Sequence, residues 1–295
     1  MKKIAEYTLL GLLVFAGIIF LKSAYDAFVG TRSSGVSPLR VLGDKIGLLE
    51  VNGVILQSES IVEVLEEYRD DSSIKAILVR INSPGGGVAA SQEIYESLLA
   101  CRAAGKIVVA SMSSTAASGG YYIACAADTI VANPGTTTGS IGVIISLADY
   151  SGLFSKLGLK YNTIKSGEFK DIGSSDRPMK SKERKVLQAF VDDAYQQFVA
   201  VVVEARNLTE KRVLTLADGR IYTGRQAHEE GLVDVLGTYD DAVELTSEMA
   251  GITGDPHIVK PARKKTSVFD LLFLDVDEKL DMLQNSPALR YQLTF

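Results

Sequence analysis

Residues 76–87 read AILVRINSPGGG: a short, almost wholly apolar run, Ala76 to Ile81, that stops in Asn82-Ser83-Pro84 and three glycines. Such a run, bounded by turn residues and not alternating with polar ones, fits a strand buried on both faces of a parallel sheet. A helical stretch, Val88 to Ala104, follows at once. Upstream, Ile46 to Leu56 (IGLLEVNGVIL) predicts two short strands hinged at Asn52-Gly53, and Ser60 to Arg69 predicts a helix with Ile61, Val62, Leu65 and Tyr68 on one face. Downstream, Lys106 to Ala110 and Thr129 to Ala132 read as strands around a helix from Ser118 to Ala126, and Lys160 to Lys165 reads as one more strand. Strands alternating with helices imply an α/β fold. The longest helix expected, Ser181 to Arg206, carries Leu187, Phe190, Val191, Ala194, Phe198, Val201, Val202 and Ala205 as a stripe for burial against the body or a neighbouring subunit.

The chain has 295 residues, 46% hydrophobic and 23% charged, enough for one large domain or two small ones with a sizeable core. A net charge of -5 and a pI near 5.3 give no basic field for a phosphate backbone, which argues against nucleic acid as a partner. The two cysteines, Cys101 and Cys125, lie beside alanines and read as buried free thiols. The two histidines, His228 and His257, sit in no zinc spacing. No metal and no other cofactor is expected.

Lys2 and Lys3 precede an apolar run, Tyr7 to Leu21, which counted from Ile4 to Ala24 reaches the roughly 20 residues needed to cross a bilayer. Ser23 to Ala27 lacks the small-residue pair of a cleavage site, so the segment reads as an uncleaved transmembrane helix. The two lysines favour a cytoplasmic N-terminus, hence a single-pass protein of the cell (inner) membrane with its domain on the extracytoplasmic side. Gly30 to Pro38 (GTRSSGVSP) has the composition of a tether. The organisation expected is therefore an anchor over 1–28, a linker over 29–44, a domain over 45–254 and a tail over 255–295. In that tail Phe269, Leu272, Phe273, Val276, Leu280 and Leu283 fit one face of a helix, for a partner, the lipid surface or the domain itself.

Three small-residue turns follow successive strands: Asn82 to Gly87, Ala116 to Gly120 and Thr136 to Gly142. Strand ends of this kind build sites in α/β folds, and glycines leave backbone N–H groups accessible to an oxyanion. Ser118, between Ala117 and Gly119 at the start of a helix, is an open hydroxyl and a candidate nucleophile. A serine there serves equally as a helix N-cap, and spacing alone leaves both roles open. Neither histidine is well placed to take its proton. The other known base is a lysine kept neutral by burial, its pKa lowered well below the usual value of about 10.4. Lys165 and Lys170 are the nearest candidates, although Glu168 and Asp171 would hold an adjacent amine protonated.

Five blocks in order carry a resemblance: Asn82 to Gly87, Ala117 to Tyr122 (ASGGYY), Thr138 to Gly142 (TGSIG), Phe169 to Ser174 (FKDIGS) and Gly219 to Ala227 (GRIYTGRQA). Together they resemble the signal peptide peptidase A family of Ser/Lys proteases, in its short single-repeat membrane-anchored form. The resemblance implies that Ser118 attacks the scissile carbonyl, Lys170 accepts its proton and Ser140 holds the lysine amine, with Gly85 and Gly119 donating to the oxyanion. It also implies a crotonase/caseinolytic-protease-like fold of repeated ββα units and a homo-oligomer, a ring whose sites borrow the lysine from a neighbouring subunit. The expected substrates are cleaved signal peptides and hydrophobic or misfolded peptide fragments. Competing readings are a membrane Ser/Lys protease of the stomatin-associated type and a catalytically silent peptide-binding scaffold. A Ser/His/Asp triad would need a histidine shortly after Ser118, and an acyl-CoA hydratase or isomerase would normally use carboxylates and no membrane anchor.

Overall fold

The computed structural model describes residues 44–261 and 290–292. The expected membrane anchor, most of the linker and the apolar tail helix lie outside the described residues; among those described, no helix is long and apolar enough to cross a membrane.

Three parallel strands form the centre: β1 (Lys45–Asn52), β2 (Ile74–Ser83) and β4 (Ile107–Ala117). Register aligns Leu48, Leu78 and Val109 in one row, and Leu49, Val79, Ala110 and Ile130 in the next. Successive side chains of a strand point to opposite faces, so these rows feed two separate cores. One core, with Leu49, Val79 and Ala110, packs under α1 (Glu59–Asp70), α2 (Val88–Ala103) and α3 (Gly119–Ala124). The other, with Leu48, Leu78 and Val109, lies under α8 (Tyr239–Met249). Burial on both faces is why residues 76–81 carry almost no polar side chain, at about 1.5–3 kcal/mol for each large aliphatic group removed from water.

The full sheet runs β7 (Ile221–Thr223), β6 (Thr137–Gly139), β4, β2, β1 and β9 (His257–Val259), with β5 (Thr129–Ala132) joining β4 to β8 (Val235–Leu236). The early half of β4 pairs with β5 and its last three residues with β6, which in turn meets β7. β9 adds to β1, so the sheet takes in residues from the start of the expected tail over 255–295.

Two strand expectations fail. Residues 53–56 form no second strand; Ile55 makes one isolated bridge to Gly86, because the chain turns out of the sheet at Gly53 to cover the Gly85–Gly87 segment. Lys160 to Lys165 is irregular, with Tyr161 60% and Ile164 101% exposed: β-prone residues without a neighbouring strand to pair with. β4 also outruns its expected end at Ala110 by seven residues, through a polar stretch that β2 and β6 bracket.

Between these elements lie α4 (Ser151–Lys156), α5 (Ser181–Arg206), α6 (Glu210–Leu216) and α7 (Gly224–Glu229). α5 has the expected bounds but buries only part of its stripe. Ala194, Phe198, Val199 and Val202 are buried, whereas Val186 and Phe190 are 46% and 55% exposed. Phe198 rests against Tyr122 of α3, ring centroids 5.0 Å apart, and Tyr122 against Tyr95 of α2 at 5.1 Å.

Candidate active site

One row of the sheet builds the site. Ala116 of β4 pairs with Ser83 of β2 on one side and with Thr138 of β6 on the other. All three strands are parallel, so two residues further on they deliver Gly85, Ser118 and Ser140 side by side at their C-terminal ends. The Ser118 N–H donates to the Gly139 carbonyl at 2.8 Å, which locks the middle of the trio to its neighbour.

Each of the three leaves its strand in a left-handed conformation: Gly85 at φ 97°, Ser118 at φ 55° and Ser140 at φ 49°. For a serine this costs about 1–3 kcal/mol, and it turns the hydroxyl off the end of β4 at a sharp strand-to-helix corner. Beyond Gly85 the backbone forms β3 (Gly85–Gly87), tied to the loop by Gly87 N–H to Ile55 carbonyl at 2.7 Å and Ile55 N–H to Gly85 carbonyl at 3.0 Å. A Cβ on Gly86 would lie 2.0 Å from the Ile55 carbonyl oxygen, so only glycine permits this approach.

Ser118 is 1% exposed, and its Oγ is the one buried side-chain N or O atom among the described residues with no hydrogen-bond partner. An unmade buried hydrogen bond costs about 1–3 kcal/mol, so the hydroxyl stands ready for a group from outside its own fold. The N-cap alternative fails on geometry, since the Ser118 side chain makes no cap bond to α3. Gly119 opens α3, where first-turn N–H groups have no acceptor within the helix. The Gly85 N–H donates to Ser83 Oγ at 3.0 Å, a bond that an oxyanion there would have to displace. Cys125, at the far end of α3, is no rival nucleophile: burial pushes its thiol up to about 12.

Lys170 is exposed on a run of turns between Ser166 and Ser175, and no hydrogen bond joins it to Ser118 among the described residues. Lys165 is committed elsewhere, its amine paired with the Asp171 carboxylate. His228 is exposed on α7 with Nδ1 3.2 Å from the Val233 carbonyl, and His257 is exposed on β9. Beside Ser140 opens a cleft of 510 Å³ walled by Ile141, Val143, Val191 and Tyr195. An extended strand also reaches the site: β10 (Arg290–Gln292) pairs antiparallel with β3, Tyr291 opposite Gly86 and Gln292 opposite Gly85.

The charged residues that organise the Lys170 segment were not legible as site residues. Arg177 and Glu183 are single charges thirteen or fewer positions from Lys170, and only their buried pairing distinguishes them from solvated ones.

Comparison with known proteins gives two matching family models: peptidase family S49 over residues 100–253 and Clp protease over residues 53–137. A provisionally named protease of Synechocystis is 46% identical over 213 residues, 72% of this chain and 76% of the relative. A provisionally named signal peptide peptidase SppA of Enterococcus faecium is 43% identical over 71% of this chain and 64% of its own length. The chloroplastic serine protease SPPA of Arabidopsis thaliana is 34% identical over 77% of this chain but only 34% of its own length.

Proposed function

The chain belongs to peptidase family S49, the signal peptide peptidase A family of serine peptidases, and from that premise we propose that Ser118 and Lys170 of two neighbouring subunits form its catalytic dyad. Ser118 Oγ attacks the carbonyl carbon of the scissile amide while the neutral Lys170 amine takes its proton. The N–H groups of Gly85 and Gly119 receive the oxyanion, and Ser140 holds the lysine amine. The resulting ammonium returns the proton to the leaving nitrogen. A water molecule, deprotonated by the same lysine, then hydrolyses the acyl-enzyme and frees Ser118.

The observation that carries this reading is the buried, strained and unpartnered Ser118 hydroxyl beside two glycine N–H positions. The exposure of Lys170, with no hydrogen bond to Ser118 among the described residues of one chain, supports shared sites. So do exposed apolar groups on the segment that would have to reach a neighbour, Leu153, Leu157, Tyr161 and Phe190 among them. A closed assembly on a caseinolytic-protease-like fold of ββα units would bring each lysine to the next subunit's serine.

The substrates proposed are released signal peptides and hydrophobic or misfolded fragments, bound as an added strand on β3. Strand addition recognises backbone and tolerates sequence, and β10 shows that β3 accepts an antiparallel partner. The apolar segment 4–24 would hold the assembly at the cell membrane, with its catalytic domain outside the cytoplasm. The experiment is cleavage of a quenched hydrophobic peptide by the chain from Ser37 onward. Wild type should cut, and Ser118→Ala and Lys170→Ala should each lose roughly 10³-fold or more. Undiminished cleavage by either variant would overturn the dyad.

A further inference from the structure

Lys170 can act as a base only if its amine sheds a proton, yet the chain places Glu168 and Asp171 beside it. A carboxylate near an ammonium favours the charged form, so both neighbours work against the chemistry unless their charge is taken up. In the structure both are matched. The Asp171 carboxylate accepts from the Lys165 amine and from Arg177 Nε at 3.1 Å. Glu168 faces the Lys182 amine at 3.3 Å, and its backbone carbonyl accepts from Lys165 at 2.9 Å. Lys170 itself makes no ion pair among the described residues.

Arg177 does more than neutralise. Its guanidinium also donates to the Asp171 backbone carbonyl at 3.0 Å and to Glu183 at 2.9 Å, and Glu183, 1% exposed, accepts the Lys180 N–H at 2.8 Å in the first turn of α5. A single planar cation thereby ties the backbone next to Lys170 to the start of the longest helix, whose far half is anchored by Phe198 on the nucleophile's own helix. The remaining charges of the segment are Lys160, Asp176 and Lys180, and Asp176 is taken by the Ser174 hydroxyl.

We infer that Arg177, with Lys165 and Glu183, is a positioning residue for the base: it withdraws the Asp171 charge from the Lys170 amine and fixes the loop that presents that amine. This rests on Lys170 being the base. The hydrogen bonds from Arg177, then Lys165, hold the Asp171 carboxyl well below the usual carboxylate range, in keeping with a charge fully claimed by those two cations.

The test uses the full assembled chain, with kcat and KM for peptide cleavage followed across pH. Arg177→Gln leaves Asp171 less neutralised beside the amine, so the rising limb of the pH profile should move up by about one unit, with kcat at neutral pH about tenfold lower and KM nearly unchanged. Arg177→Lys should recover part of the loss. The double variant Arg177→Gln/Asp171→Asn removes the carboxylate as well, and its limb should return to the wild-type position or below. A merely structural Arg177 predicts the opposite, a double variant no better than the single. Should Arg177→Gln fail to assemble, Asp171→Asn alone decides: its limb should stay at or below wild type, and an upward shift would overturn the inference. Full activity in Lys170→Ala would overturn the base assignment itself. Lost activity there, with an unmoved limb in assembled Arg177→Gln, would overturn the positioning role alone.

Discussion

The two halves of the proposed dyad are built by different physics. Ser118, Gly85 and Ser140 stand at the ends of three hydrogen-bonded parallel strands, fixed by register, close backbone approach and apolar burial. Lys170 stands on an irregular segment without a strand neighbour, fixed by ion pairs. A sheet end can hold strain, so the nucleophile side carries three left-handed residues and an unmade hydrogen bond. A charged loop holds position without deep burial, which suits the proposed role of a group that reaches across an interface.

Disturbing the sheet-end side should have the larger effects. Gly86→Ala puts a methyl group 2.0 Å from the Ile55 carbonyl, and the displaced β3 should lower peptide cleavage about a hundredfold or more while the assembly persists. Wild-type activity in that variant would show β3 to be uninvolved. Phe198→Ala, which removes a fully buried ring from the Tyr122 contact, should cost about 3–5 kcal/mol in denaturant unfolding.

On the loop side, acid should act first. Arg177 and the Lys180 N–H lower the Glu183 pKa from 4.5 to about 2. Because the folded value lies below the unfolded one, this stabilisation is complete above pH 4.5 and is lost as pH falls toward 2. Hydrogen exchange should therefore show residues 166–183 losing protection across that window before β2 and β4 do. Equal loss in both regions would erase the distinction. The smallest effect belongs to Phe190→Ala: 55% exposed, it should change subunit stability by no more than about 0.5 kcal/mol while shifting the assembly toward smaller species in light scattering.

The same contrast decided what could be read from sequence. The apolar run 76–81 was legible because burial on both faces leaves almost no polar position, and the stripe of α5 because burial of one face imposes a helical period on residue type. Ser118 could be singled out as an open hydroxyl at a small-residue strand end, with helix capping as its rival role, whereas Gly85, Gly119 and Ser140 were named through the family resemblance; in the structure Ser118 and Ser140 follow the paired ends of β4 and β6, and Gly119 opens α3. The polar end of β4, Ser111 to Ala117, lies beyond the strand expected from sequence, since its strand character comes from β2 and β6 alone. Asp171 read as an obstacle to Lys170, because the cation that claims it lies six residues away and a lone arginine has no signature. Lys170 gained its role from family resemblance; its own surroundings in one chain are those of an exposed lysine.

The most direct measurement of the central claim is to co-assemble equal amounts of Ser118→Ala and Lys170→Ala subunits, each inactive alone, and assay peptide cleavage. Sites shared between subunits predict recovery to roughly a quarter of wild-type activity, since that fraction of random neighbours unites an intact serine with an intact lysine. No recovery in a verified mixed assembly would contradict a dyad built from two subunits.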